Sequence, residues 1–396
     1  MATGCPGGGG GGGGTYATIY DVVGTYGGDP TGASDNVTPF NNALAACAST
    51  GGTIWFRAGT FRFNSGINDN VTGCNIVGSG PQATNFYYYA ASGDFISVNA
   101  YNVNVSGLAI LNGGSWTTGY GLAVGVSAGA SLGHYNDLYF SSIPGFVHLT
   151  GASETKFTNI YGVNPTGASA FLCDGSGASQ VYGTRWTNVS LGYNSTNTST
   201  ISFHMGSGCN TWAMTSANSS GDVLGSGSSC LQVDSGSMFL IVSDLECDYS
   251  VNGAVFNGGT GIQISNSYLS TAISGNGLTF ASGFSGFASV GTSHIRDNTT
   301  YGVLINGSGG VQLTGNVISG NASGGIAVGA NVQNFQINSN MLGIPGDPTS
   351  TYCVIVNTGT SNYYTIANNM CGATNSNGVA DGGSGVKKSV TGNVGP

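Results

Sequence analysis

The sequence predicts an all-β chain, wound as a right-handed single-stranded parallel β-helix of about 12–13 coils behind one short N-terminal capping helix. Three observations carry that expectation: the composition, an apolar pattern that returns about every 26 residues, and a column of asparagines in its last coils. Glycine supplies 71 of 396 residues, against a usual share of roughly 7%. It costs about 1 kcal/mol at each helix-interior position, which disfavours a helical fold. Charged residues make up 6% of the chain and the net charge is −9. That balance argues against nucleic-acid or anionic-membrane partners, because binding phosphates needs gathered Lys and Arg. The aromatic content (Trp 4, Tyr 19, Phe 17) sets the chain apart from disordered sequences. No apolar run approaches the ~20 residues of a membrane span.

Residues 1–14, MATGCPGGGGGGGG, lack the basic region, apolar core and cleavage site of a signal peptide. Gly7–Gly14 reads either as a flexible leader or as an arm that docks the protein onto a larger assembly. The expected organisation is an arm over 1–15, a cap over 16–66 and a parallel β-helix over 67–396. In the cap, a short strand and a turn-rich loop lead to VTPFNNALAACASTGG. Phe40, Ala43, Leu44 and Cys47 fall on one helical face. Thr38 suits the N-cap, Pro39 the first helical position, and Gly51-Gly52 the stop. A strand pair, TIWFRAGTFRF, follows with its turn at Ala58-Gly59.

The stretch DVVGTYGGDPTGASDNVTPFNNALAACASTGGTIWFRAGTFRF, residues 21–63, resembles the N-terminal cap of pectate-lyase-like β-helix proteins. In that superfamily a "D-x-G-A-x-G-D-G-x-x-D" loop, a short helix and a "G-G-x-V-x-F-P-x-G-x-Y" strand pair form the cap. The resemblance is to the phage tailspike type. It implies a parallel β-helix, commonly a homotrimer, and says little about activity.

The repeat reads apolar, any, apolar, two of any, Asn or apolar, any, apolar. Its central residue falls at Ile76, Val105, Tyr135, Phe157, Trp186, Met214, Val242, Ile264, Val290, Leu313, Ile337, Ile366 and Val390, at spacings of 22 to 30 residues. Three places on stand Leu108, Leu138, Ile160, Val189, Ala217 and Leu245, and later Asn316, Asn340, Asn369 and Asn393. An inward Asn at a tight bend bonds its own backbone and the Asn one coil above. A second strand precedes each repeat, with Val147/Leu149, Phe171/Cys173, Phe203/Met205 and Leu231/Val233 inward by alternation. Asn393 lies three residues from the end of the sequence, so a partner or an oligomer is expected to cover the last coil.

Nine cysteines and no signal peptide argue against a full disulfide framework. Cys47, Cys74, Cys173, Cys247 and Cys371 are expected as buried reduced thiols. No metal-type spacing occurs, and no cofactor is expected.

Function in such a fold sits on outward side chains, which form columns about 4.8 Å per rung. Four places after the central residue the column reads Tyr139, Tyr161, Ser190, Asn218, Glu246, Tyr268 and His294. Two places after, it reads Asp137, Asn159, Asn188, Ser216, Asp244 and Asn266. Sugar rings stack on aromatic faces and amides bond hydroxyls. The expected glycan-binding set is therefore Tyr139, Tyr161, Asn188, Asn218, Asp248, Tyr268 and His294. Asp244 and Glu246, two apart on one extended strand, would stand roughly 6–7 Å apart, within reach of an inverting glycosidase pair. The plainer alternative is three acids on a solvated flank. A second column, His148, Asp174, His204 and Asp234, is expected as solvated or interfacial side chains; His148 and His204, two coils apart, are too distant to share one zinc ion. Polygalacturonase motifs are absent, and beyond the cap only Arg185 and Arg296 are available to a lyase mechanism.

These readings converge on a virion surface protein of a bacteriophage. It would be tailspike-like, trimeric as the resemblance implies, bound through residues 1–15 to other virion proteins, and engaged with host polysaccharide. A polysaccharide-degrading hydrolase or lyase using Asp244 and Glu246, and a capsid decoration protein without activity, are the alternatives.

Overall fold

The computed structural model describes residues 18–125, 130–175, 180–194, 200–221, 228–343, 352–372 and 377–395. The expected arm over 1–15 lies outside them. From Ile19 onward the described chain forms parallel strands and one helix. Thirteen strands, from Ile67–Asp69 to Asn377–Gly383, stack strictly in sequence order as one sheet. The other 25 form a second, sharply bent sheet. Each coil contributes a rung to both, so the chain is a right-handed single-stranded parallel β-helix of about 13 coils. Strands Gly52–Trp55 and Gly59–Phe63, assigned above to the cap, already stack between Ile19–Asp21 and Thr31–Asp35 on one side and Cys74–Val77 and Thr84–Tyr88 on the other, so the rungs begin within the cap.

All thirteen anchor residues of the repeat stand in one register, from Ile76 opposite Val105 to Ile366 opposite Val390. Their side chains are buried except at Val390, on the last rung. Inside the first half, Tyr135 stacks on Phe157 with centroids 4.8 Å apart, and Phe157 stacks on Trp186 at 4.0 Å. Burying such rings in stacked contact supplies much of the non-directional drive to fold.

The bend follows a column of left-handed residues two places after each anchor from Val105 onward. It includes Asp137 (φ 53°), Asn159 (55°), Asn188 (55°), Ser216 (53°), Asp244 (60°) and Asn266 (49°), then Gly315 (68°) and Gly392 (65°). Asn, Asp and Gly tolerate this region best. The polar character of this column therefore has a backbone cause before any functional one.

The asparagine ladder is present. Asn316, Asn340 and Asn369 each donate Nδ2–H to Oδ1 of the next ladder residue, at 3.0, 3.0 and 2.9 Å, ending on Asn393. Each Nδ2 also donates to a main-chain carbonyl, such as Leu313 O for Asn340 at 3.0 Å. Ser293 and Ser267 extend the column with their hydroxyls, which accept from Ser267 N and Leu245 N at 3.2 and 3.3 Å.

The helix spans Val37–Cys47 and buries Phe40, Ala43, Leu44 and Cys47. It starts one residue before the expected cap. Asn36, not Thr38, is the N-cap, and Pro39 lies in the first turn. The Asn36 side chain makes no capping bond. It accepts from Asp29 N at 2.7 Å and donates to three carbonyls, tying the loop to the helix.

The expectation of reduced thiols is wrong. Cys47–Cys74, Cys173–Cys209, Cys230–Cys247 and Cys353–Cys371 are disulfides. Counting cysteines misses this because pairing depends on which inward positions face each other across the lumen. Cα separations of 5.6 to 6.2 Å meet that requirement at every pair. The ninth cysteine, Cys5, lies outside the described residues.

Candidate functional site: a groove across the bend

The column four places after the anchors runs in register through Tyr139, Tyr161, Ser190, Asn218, Glu246, Tyr268 and His294. At its lower end the Tyr139 and Tyr161 rings stack, with centroids 5.6 Å apart and planes 16° from parallel. Tyr161 is 48% exposed. Both rings line a groove of about 830 Å³, with Pro81, Gln82, Asp137 and Asn159 among its other walls. That volume falls in the range of ordinary ligand sites.

A hydrogen-bonded polar chain runs through the wall of the groove at Asp137 and Asn159. Asn188 Nδ2 donates to Asn159 Oδ1 at 2.7 Å, and Asn159 Nδ2 donates to Asp137 Oδ1 at 2.9 Å. Asn136 Nδ2 donates to Asp137 Oδ2 at 2.7 Å. These bonds fix the amide faces, so their free donors and acceptors point in set directions beside the rings. Asp137 and Asn159 line the groove itself, whereas the sequence reading took only Asn188 from this stretch as a binding residue. The residue pattern two places after the anchors already contained both.

Asp244 and Glu246 stand farther up. Both are exposed. Asp244 occupies the left-handed bend itself, so the two are not on one extended strand, and the spacing drawn from strand rise does not apply. Ser216 Oγ donates to Asp244 Oδ2 at 2.9 Å, and Asn218 Nδ2 donates to Glu246 Oε2 at 2.8 Å. Asp248 is half-buried and accepts from Ser270 Oγ at 2.8 Å. Tyr268 and His294 are exposed, with ring centroids 6.5 Å apart. The structure thus brings Tyr139 and Tyr161 to one groove, places Asn188 behind its wall as a donor to Asn159, and spreads Asn218, Asp244, Glu246, Asp248, Tyr268 and His294 along the flank above it.

The thirteen-stranded sheet carries the other column. His148 is mostly buried, not solvated, with its ring 4.7 Å from that of Tyr120. Burial holds its pKa below the usual value, although the charges of Asp94 and Asp174 pull the other way. His204 Nε2 meets Asp234 Oδ2 at 2.7 Å, and its Nδ1 meets Ser169 Oγ at 3.0 Å. This hydrogen bond to His204 is the main cause that holds the Asp234 carboxyl down at about 2, against the opposing effect of burial. Ser169 is only 3% exposed, which leaves its hydroxyl no room to attack a substrate. The chain of bonds therefore staples three coils. Among the described residues, no three His, Cys, Asp or Glu side chains gather as a metal site, and no helix is long and apolar enough to cross a membrane.

No protein-family model matches the chain, and no curated protein matches it significantly. Solved structures do. The A-module of the Azotobacter vinelandii mannuronan C-5 epimerase AlgE4 superposes with a TM-score of 0.53 at 14% identity, covering 94% of this chain and 100% of that one. DFA-IIIase from Arthrobacter chlorophenolicus superposes at 0.58 and 14% identity, covering 88% and 94%. The catalytic unit of a GH87 α-1,3-glucanase from Streptomyces thermodiastaticus gives 0.52 and 14% identity, covering 98% and 69%. At such identities the likeness lies in the fold alone: the chain is a right-handed parallel β-helix protein.

Proposed function

We propose that the protein binds polysaccharide and does so on a phage particle, as a tailspike-type receptor-binding protein. The observation that carries the reading is the groove at Tyr139 and Tyr161, where two stacked rings stand beside a fixed chain of amides and one carboxylate. Aromatic faces take sugar rings, and oriented amides take hydroxyls. Two further observations support it. Structures sharing the fold bear the names of a glucanase and a mannuronan epimerase. Four disulfides suit a protein that works in an oxidising exterior. In this reading three copies assemble, and residues 1–15 hold them to the particle.

The test is binding of purified host-surface polysaccharide to wild type and to Tyr161→Ala. A loss of about tenfold or more in affinity, roughly 1.4 kcal/mol, is expected; unchanged affinity overturns the assignment of the groove. A second reading, cleavage by Asp244 and Glu246, is favoured by the place of Glu246 in the same column as the tyrosines, with Asp244 two residues before it at the bend. The same preparations assayed for new reducing ends decide it. Glu246→Gln should abolish release, and full turnover in that variant rejects the pair.

A further inference from the structure

The groove does not end at the bend. Asp137 and Asn159 also line a second depression, of about 310 Å³, whose far wall is His134 and Lys156. His134 and Lys156 in turn line a third, of about 380 Å³, together with Leu132, Glu154 and Arg185. The three form one continuous path across neighbouring coils, with the tyrosine pair at one end. At the other end His134, Lys156 and Arg185 stand in register on three successive coils, all exposed.

The chain has only seven Lys and Arg and a net charge of −9. Five of the seven have a partner. Arg57 pairs with Asp21, Arg296 with Asp297 and Lys388 with Asp381. Arg62 lies over the Tyr89 ring at 4.3 Å and Lys387 over Tyr363 at 5.1 Å. Among the described residues, Lys156 and Arg185 make no ion pair and no ring contact, yet they stack as adjacent rungs, about 4.8 Å apart by strand spacing. Like charges directly opposite on neighbouring strands repel. Glu154 is the one carboxylate in their depression, and the Asp137 carboxylate is already taken up by two amide donors. Such a column keeps an unmet need for negative charge, at one end of a path suited to sugar rings at the other.

We propose that the groove takes an anionic polysaccharide, with the rings of Tyr139 and Tyr161 against its sugars and the His134–Lys156–Arg185 column against carboxylates borne by the polymer. This inference rests on the glycan-binding reading and adds the charge class of the ligand. On a protein of net negative charge a polyanion is held only where cations gather, so the column also sets where along the axis the polymer docks.

The experiment keeps the polymer backbone constant and varies its charge. Wild type, the double variant Lys156→Gln/Arg185→Gln and Tyr161→Ala are titrated with dextran, carboxymethyl-dextran and dextran sulfate at low and at physiological salt. Wild type should bind carboxymethyl-dextran about tenfold or more tightly than dextran, with the preference falling as salt rises. The double variant should lose that preference while binding neutral dextran as wild type does. Arg185→Lys, which keeps the charge, should retain most of it. Equal binding of charged and neutral polymer by wild type, or an unchanged preference in the double variant, overturns the inference. If binding of neutral dextran still falls in Tyr161→Ala in that case, the glycan-binding reading survives. Failure of wild type to bind any of the three, or binding indifferent to Tyr161→Ala, sinks both. Preference for dextran sulfate over carboxymethyl-dextran replaces carboxylate by sulfate as the group recognised.

Discussion

Asp69 places its carboxyl inside the solenoid, with no exposed surface. It accepts one bond, from Val71 N–H at 3.1 Å, and its Oδ2 has no partner. The Tyr135 hydroxyl is also buried without one, and burial first, then the charge of Asp69, raises its pKa. Burial pushes the Asp69 carboxyl up to about 7. The folded chain therefore keeps a proton that the unfolded chain releases near the ordinary value of 3.8. Stability contributed by that proton is complete below pH ~4 and falls as pH rises to about 7, where the folded state ionises as well. Asp69→Asn removes the titration and keeps an acceptor for Val71. It should stabilise the protein at pH 8 by on the order of 2 kcal/mol and have little effect at pH 4. Thermal melts of both proteins across that range check it; a variant that melts below wild type at pH 8 contradicts it.

Among elements, what could be foreseen was whatever repeats. The anchors from Ile76 to Val390 and the ladder from Asn316 to Asn393 are legible because each coil must bury the same position and satisfy the same bend. The helix face was legible from its 3.6-residue period, but its start was not. Asn36 is held by the loop carbonyls of Asp29 and Ser34 and by Arg62 O, the last distant in sequence. The groove was half legible. Its tyrosines stood out as aromatics at one register, while the Asp and Asn of the bend mixed a conformational demand with a chemical one. A flat-strand picture of Asp244 and Glu246 failed for that reason. The cystines were hidden because each joins different elements: the helix to a strand at Cys47–Cys74, and two faces of the lumen at the other three. Pairs such as Cys173–Cys209 and Cys230–Cys247 lie 36 and 17 residues apart, with no common spacing. Their loops should each be worth about 3 kcal/mol to the fold. Alkylation in denaturant without reductant should therefore label only Cys5 of the nine cysteines, and prior reduction should expose all nine. Labelling of Cys353 or Cys371 without reductant would break the pairing assigned to the last coils.

Across the whole molecule, each coil packs only against its neighbours, so stability should be local along the axis. The two halves are built differently. The lower coils are filled by stacked Tyr135, Phe157 and Trp186. The upper coils are bound by the amide column. Asn340 is the keystone of that column. Its Oδ1 accepts from both nitrogens of Asn316 at 3.0 Å, and its Nδ2 donates to Leu313 O and Asn369 Oδ1, each at 3.0 Å. Asn340→Ala leaves those buried partners unpaired, a loss of about 3 kcal/mol. In a quasi-one-dimensional stack the loss should appear only nearby. Amide exchange should quicken through the strands from Gly310–Thr314 to Tyr364–Ala367, while the strands holding Tyr135, Phe157 and Trp186 keep their protection. Because the groove at Tyr139 and Tyr161 lies in the protected half, glycan affinity should be unchanged in the same variant. Uniform quickening along the whole chain, or loss of binding, would mean that the coils unfold as one unit and that the amide ladder supports the groove from a distance.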